Sequence, residues 1–136
     1  WAPTAEDWKK PCLITWQRSW DDAVAVSKET GKPLLVCVNM DGEIASEHYA
    51  GVRYRTPEIA ALYEPYVTVI ASVYRHNPRD YDDQGRRSPC PRFGGVTCGE
   101  HIAIEPRRGA GTDEIVQDAI AADACVEHAD LRPSPV

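Results

Sequence analysis

One uninterrupted apolar segment, Leu34–Val38, constrains the fold of this chain more than any other stretch. Gly31 and Pro33 precede it and end a helical pattern, while Asp41 and Gly42 follow it with the composition of a turn. The segment is continuous rather than alternating, which is typical of a strand that is buried on both faces. The pattern predicts a helix, a buried strand and a second helix in close succession, and therefore a layered α/β domain.

Caps and β-branched residues predict the remaining elements. Ser19, followed by Trp20 and two aspartates, indicates the start of the helix that Gly31 ends. A second start signal, Thr56–Glu58, has proline at the first helical position. Tyr66–Val73 predicts a second strand. We expect a third, short strand at His101–Glu105 and a last helix that is capped by residues 112–114.

The chain has 136 residues, which fits one domain with a single core. We expect an extended lead-in over residues 1–15, the folded domain over residues 16–128 and a flexible tail over residues 129–136. Residues 75–101 have no periodic pattern, so they are predicted to form a long loop inserted before the third strand. An aperiodic connection of this length inside a compact domain is usually functional or disordered.

Composition limits the classes of partner. The net charge of −6 argues against nucleic acid or an anionic membrane as the main partner. No apolar run approaches the ~20 residues that a membrane-spanning helix needs. The chain begins with Trp1 rather than methionine, which is expected of a protein whose signal peptide has been removed and equally of a fragment. An exported or periplasmic location is favoured over the cytoplasm.

The five cysteines leave several states open. Cys37 lies inside the apolar run and is predicted to be a small buried hydrophobic residue. Cys90 and Cys98 both lie in the long loop, where a disulfide between them would pin the loop and contribute about 2–3 kcal/mol. Alternatively, both thiols stay unpaired and partly buried, or both bind a metal ion.

The long loop carries a candidate metal set of two histidines and two cysteines. Zinc and copper prefer these ligands, although the spacing matches no zinc-finger or haem-attachment pattern. If residues 98–101 formed a strand, the second cysteine and second histidine would point to opposite faces, so the hypothesis requires a turn at residues 98–100. The four candidate ligands are His76, Cys90, Cys98 and His101.

Two pairs of segments resemble the thioredoxin-like superfamily. The first pair is Trp20-Asp-Asp-Ala and Lys28-Glu-Thr-Gly-Lys-Pro-Leu-Leu-Val, where a helix ending in Gly-Lys-Pro enters the central strand; the second is Thr56-Pro-Glu-Ile and Tyr66-Val-Thr-Val. The resemblance covers residues 16–73, and more weakly 93–105. It implies a thioredoxin-like α/β fold with a central mixed β-sheet flanked by helices.

The chain departs from this family at the position of the family's Cys-x-x-Cys pair, which here reads Asp-Gly-Glu-Ile-Ala-Ser over residues 41–46. Disulfide exchange requires an attacking thiolate and a resolving thiol, so it is excluded at this position. The family also has a cis-proline before its third strand, and the matching stretch here, Val96-Thr97-Cys98-Gly99, has a cysteine and no proline. The family geometry places Cys98 near Asp41, Glu43, Ser46 and His48.

The resemblance implies a redox-inactive binding or accessory module, which is a subunit or partner-binding domain of a larger assembly. Its functional surface would be the loop over residues 75–101, and its partner a protein. Two alternatives stay open. The first is a thiol-based oxidoreductase or peroxidase that uses Cys98 as the reactive thiol and Cys90 as its resolving partner. The second is a transition-metal protein that binds zinc or copper through the four loop residues.

Overall fold

A small parallel β-sheet forms the centre of the domain. The computed structural model describes residues 1–104 and the backbone of a strand at residues 115–118. Strands β1 (Leu34–Val38) and β2 (Val67–Ala71) pair in parallel along their whole length. The backbone of β3 (Ile115–Asp118) pairs in parallel with the other edge of β1. β1 is therefore the central strand, as its continuous apolar sequence predicts, and the α/β class is confirmed.

Helices surround this sheet. The helix over Trp20–Thr30 has the clearest start and end. The Ser19 hydroxyl accepts a hydrogen bond from the amide of Asp22 at 3.0 Å. Gly31, at φ 76°, ends the helix in the left-handed conformation. Short 3₁₀ turns follow the third and fourth helices at Arg53–Arg55 and Ala61–Tyr63. The α-helices are α1 (Ala5–Lys9), α2 (Trp20–Thr30), α3 (Ile44–Gly51), α4 (Pro57–Ala60) and α5 (Cys98–Ile102).

The alternating side chains of β1 divide the core into two layers. Leu34 and Val36 pack with the side chains of α2 on one face of the sheet. Leu35 and Cys37 lie on the other face, where an aromatic cluster and the buried residues of the long loop cover them. All four side chains are fully buried, and burial of each aliphatic one contributes about 1.5–3 kcal/mol. The second half of the long loop, from Cys90 to Cys98, therefore contributes a layer of the core.

A buried arginine fastens the long loop to the rest of the chain. The Arg55 guanidinium donates to the carbonyl oxygens of Ala50 at 2.9 Å and Trp8 at 3.3 Å. It also donates to the carbonyl oxygens of Lys10 and Arg92. One side chain thus satisfies carbonyl groups of the lead-in, of α3 and of the long loop.

The predicted third strand at His101–Glu105 is wrong, because residues 98–102 are helical. Helix α5 begins with a capping box: the Thr97 hydroxyl accepts from the amide of Glu100 at 3.2 Å, and the Glu100 carboxylate accepts from the amide of Thr97 at 2.8 Å. This reciprocal pair satisfies two amides at the helix start. The alternation of Ile102 and Ile104 imitates a strand, but the cap decides the local structure.

Three further predictions differ from the observed structure. The lead-in contains α1, whose first turn is capped by the Thr4 hydroxyl, which accepts from the amide of Asp7. Residues 115–118 are extended backbone, whereas the sequence predicts a helix after Thr112. The remainder of that helix and the predicted tail over residues 129–136 lie outside the described residues. Pairings between the described strands are parallel, so the predicted mixed sheet is not found among them.

Within residues 1–104 and 115–118, every helix is too short or too polar to cross a bilayer.

Candidate metal centre

Four side chains from three separate segments meet on the inner side of the long loop. His76 comes from the chain just after β2, Cys90 from the middle of the loop, and Cys98 and His101 from α5. Their ligand atoms, one from each residue, all lie within 4.8 Å of one another. A tetrahedral zinc ion bonded at ~2.0–2.3 Å places its ligands about 3.3–3.8 Å apart. The four atoms therefore stand near the spacing that a single ion requires.

Helix α5 brings two of the ligands to one face. Cys98 and His101 are three residues apart, and residues at this spacing are neighbours on a helix surface. The turn that the sequence analysis requires at residues 98–100 is thus the first turn of a helix. Gly99 lies between them, and its amide donates to Asp80 Oδ1 at 3.1 Å. A Cβ atom on Gly99 would lie 2.1 Å from Asp80 Oδ2, so a larger residue here would displace the Asp80 carboxylate or the start of α5.

An aspartate orients the His76 ring. His76 Nε2 lies 2.7 Å from Asp41 Oδ2, and His76 Nδ1 lies 3.3 Å from Cys90 Sγ. An ionised carboxylate only accepts hydrogen bonds, so the contact places a proton on Nε2, and in the neutral ring Nδ1 then keeps a lone pair. The nitrogen that faces the other ligands is therefore the one that can bind a cation. Histidine ligands in metal sites usually have such a partner on the opposite ring nitrogen.

The His101 ring is oriented in the opposite sense. Its Nδ1 donates to the carbonyl oxygen of Ser72 at 2.8 Å, which leaves Nε2 as the nitrogen with a lone pair. Nε2 is buried and has no hydrogen-bond partner among the described residues. Burial lowers the pKa of His101, which favours the neutral ring that a metal requires. A buried unpaired polar atom costs about 1–3 kcal/mol, and a metal ion at this position would remove that cost.

The two sulfur atoms have different surroundings. Cys98 Sγ accepts hydrogen bonds from the amides of His76 and Asn77, both at 3.2 Å, and such donors stabilise negative charge on an acceptor. Burial raises the pKa of the Cys90 thiol to about 11. At neutral pH this thiol keeps its proton, which a bound cation would displace.

The predicted disulfide between Cys90 and Cys98 is wrong, since both residues are thiols. The prediction for Cys37 is confirmed, because this residue of β1 is fully buried and packs in the hydrophobic core. The two loop thiols are also buried. The sulfur chemistry of the long loop is therefore that of two adjacent thiols beside two imidazoles.

Of the four residues that the family geometry places near Cys98, Asp41 reaches the cluster through its bond to His76. The Glu43 carboxylate accepts from two amides at the start of α3, and the Ser46 hydroxyl accepts from the amide of Met40. His48 Nδ1 lies 2.8 Å from the carbonyl oxygen of Trp1. The hydrogen bonds of these three residues are therefore made around α3 and with the lead-in.

Sequence reasoning missed three contacts around the cluster, although it expected Asp41 near Cys98. Asp41 and the Ser72 carbonyl orient the two imidazoles, and Asp80 holds the amide of Gly99. The capping-box pattern Thr-x-x-Glu at residues 97–100 is a sequence signal for α5. No local pattern marks Asp41 or Ser72, because each meets its histidine across a long sequence separation.

Comparison with protein-family models, with curated proteins and with solved structures finds no match to this chain. The geometry of the cluster is therefore the basis for a functional proposal.

Proposed function

We propose that this protein is a transition-metal-binding domain that holds zinc or copper in a site of two thiolates and two imidazoles. The ligand atoms are His76 Nδ1, Cys90 Sγ, Cys98 Sγ and His101 Nε2. The observation that carries the proposal is the convergence of one ligand atom from each of these four residues within 4.8 Å, from scattered chain positions. Zinc favours tetrahedral nitrogen and sulfur sites, and soft thiolates also suit monovalent copper.

Four protein ligands fill a tetrahedral coordination sphere. Catalytic zinc sites usually keep one position for water or substrate, whereas sites with four protein ligands hold the ion without opening it to chemistry. Three of the four ligands are buried, and the fourth is partly buried. The proposed role is therefore to retain a metal ion, either to stabilise the long loop or to carry the ion to a partner.

The orphaned Nε2 of His101 supports the same proposal from an independent direction. Buried polar atoms in folded proteins are nearly always paired, and this nitrogen has no partner among the described residues. The Ser72 carbonyl holds the other nitrogen of the ring, so a flip of the ring would exchange one unpaired nitrogen for another. A cation between the four ligands satisfies Nε2 without moving the ring.

A thioredoxin-like chain arrangement is part of the proposal. It is supported by the order α2, β1, α3, β2 and by the parallel pairing of β1 with β2. In this arrangement the position of the family's dithiol, residues 41–46, supports the metal cluster through Asp41. The predicted protein partner and accessory-subunit role stay predictions.

The thiol-enzyme alternative, with Cys98 reactive and Cys90 resolving, takes second place. The thiolate is the reactive form of cysteine, and reactive cysteines are usually partly exposed. Both sulfur atoms are buried here, and burial raises the pKa of Cys90. These surroundings favour a metal over an external substrate.

Metal analysis tests the proposed function. The full chain, purified without chelator, is expected to contain one equivalent of zinc or copper by elemental analysis. Replacement of the metal by Co²⁺ should give a sulfur-to-cobalt charge-transfer band and the visible bands of a tetrahedral ion. Cys98→Ser should lose both signals, while Cys12→Ser, which changes a cysteine outside the cluster, should keep them. Wild-type protein that fails to bind zinc, copper or cobalt would overturn the proposal.

A further inference from the structure

The four candidate ligands differ in their access to solvent. Cys90, Cys98 and His101 are at most 1% exposed, and each packs inside the core or is tied to a backbone group. The His76 side chain retains 14% of its exposure. It also belongs to the irregular segment between β2 and α5 rather than to a helix or strand. His76 is therefore the ligand that can leave the ion with the least disturbance of the core.

Asp41 controls the orientation of this outer ligand. It lies in the turn that follows β1, beside Gly42, whose φ of 84° only glycine adopts without strain. One carboxylate oxygen of Asp41 is 2.7 Å from His76 Nε2. The other oxygen is 3.3 Å from the Nε of Arg92. The carboxylate thus bridges the outer ligand and a charged residue of the long loop.

Arg92 is itself held in place, so the bridge has a firm anchor. Its Nε and Nη2 atoms donate to Asn39 Oδ1 at 3.0 and 2.9 Å, and Nη2 also donates to the Glu47 carboxylate. The guanidinium lies over the rings of Trp8 and Phe93. The side chain of Arg92 is only 10% exposed, which limits its freedom to move away from Asp41.

We infer that Asp41 is a positioning residue that sets how fast the metal leaves, and that the ion enters and leaves past His76. This inference rests on the proposed metal-binding function. With Asp41 in place, the His76 ring is held with Nδ1 towards the ion. Without it, the ring is free to rotate and to exchange its proton between the two nitrogens, so the outer ligand dissociates more often. Loss of such a partner typically reduces metal affinity about 10- to 100-fold.

The test compares Asp41→Ala and Asp41→Asn with Asp83→Asn in the full, metal-loaded chain. Asp83 is exposed and pairs with Arg79 outside the cluster, so it is the matched charge control. Zinc transfer to a chromophoric chelator gives the release rate, and competition with the same chelator gives the affinity. We expect release to accelerate about 10- to 100-fold in Asp41→Ala. Asp41→Asn should lie between this variant and wild type, because its amide oxygen can still accept from Nε2.

Two readouts separate positioning from a general structural role. In a His76→Ala background, Asp41→Ala should change the release rate no further, because the two residues act as a unit. Nitrogen NMR of the His76 ring should show the proton on Nε2 in wild type and a mixture of ring forms in Asp41→Ala. The sulfur-to-cobalt charge-transfer band should persist in each Asp41 variant, since both thiolates remain.

The outcomes distinguish this inference from the proposed function. If wild type binds no metal, the proposed function fails, and the inference about metal release fails with it. If wild type binds metal but Asp41→Asn and Asp41→Ala release it at the rate of Asp83→Asn, the inference alone is overturned. Equal acceleration by Asp41→Ala in the presence and absence of His76 would also overturn it. Should Asp41→Ala not fold, the nearly isosteric Asp41→Asn decides the question.

Discussion

Ser72 and His101 are joined by two hydrogen bonds: the Ser72 carbonyl accepts from His101 Nδ1 at 2.8 Å, and the Ser72 amide donates to the His101 carbonyl at 3.2 Å. The pair ties α5 to the chain that leaves the carboxyl end of β2. It also fixes the ring of His101, so that its second nitrogen stays buried. A side chain positioned in this way is ready to bind a metal before any metal arrives, which reduces the ordering cost of binding.

If the chain binds metal as proposed, removal of the ion should destabilise the fold. A ligand that binds only the folded state at 100 times its dissociation constant stabilises it by about 2.7 kcal/mol. Treatment with a chelator should lower the free energy of unfolding by at least about this amount, and added zinc should restore it. Urea unfolding with and without chelator measures the difference. Cys90→Ser should show no difference between the two conditions, and an equal midpoint for wild type in both would contradict the prediction.

Gly99→Ala should disturb both the fold and the site. Its new methyl group would lie 2.1 Å from Asp80 Oδ2, so the Asp80 side chain or the start of α5 must move. Overpacking of this kind costs about 1–3 kcal/mol, and displacement of α5 shifts two of the four ligands. Metal affinity and the urea midpoint should fall together.

The double variant Gly99→Ala with Asp80→Ala is the control for this substitution. It removes the carboxylate that the methyl group would meet, so it should recover stability relative to Gly99→Ala alone. Asp80 also accepts from the amide of Gly99 and from Arg75, which makes the recovery partial. Failure of the double variant to recover any stability would show that steric contact with Asp80 is not the cause.

The local features of this fold can be predicted from the sequence. Leu34–Val38 reads directly as a buried strand because its pattern depends on neighbours along the chain, and Ser19 and Gly31 mark the helix before it in the same way. The choice of His76, Cys90, Cys98 and His101 came from ligand chemistry, and the structure brings them together.

The remaining features depend on contacts between distant segments. The helical state of residues 98–102 was missed, although Thr97 and Glu100 mark its start. The Asp41–His76 contact joins residues that are 35 positions apart, and no periodic pattern in the sequence predicts such a contact. The burial of the second half of the long loop likewise depends on tertiary contacts, of which the bond from Arg55 to the Arg92 carbonyl is the clearest.

Arg55→Met should be strongly destabilising. The substitution leaves carbonyl groups of the lead-in, of α3 and of the long loop without their donor. The bond to the Ala50 carbonyl is buried, and a buried unsatisfied group costs about 1–3 kcal/mol. It also removes the cationic contact with the Trp8 ring. We expect a loss of about 3 kcal/mol or more in the free energy of unfolding. Arg79→Met, which changes a largely exposed arginine, should stay within about 0.5 kcal/mol of wild type; similar losses for both arginines would contradict the assigned role.

The free energy of unfolding should depend on pH in the acidic range because of Glu43. Hydrogen bonds from the amides of Ala45 and Ser46 lower the pKa of this carboxyl group. Because the pKa is lower in the folded state, its contribution is fully present above the ordinary glutamate pKa and is lost as pH falls through the lowered value. Glu43→Gln should therefore be less stable than wild type at neutral pH, by about 1 kcal/mol for loss of a capping carboxylate.

The difference between wild type and Glu43→Gln should shrink as the solution becomes acidic, because the protonated glutamate then resembles glutamine. Urea unfolding at a series of pH values from neutral to strongly acidic measures this convergence. Glu58→Gln is the matched control, since Glu58 lies in the first turn of α4 without a capping bond from its own side chain among the described contacts. A gap for Glu43→Gln that stays constant with pH would show that the charge of Glu43 does not stabilise the start of α3.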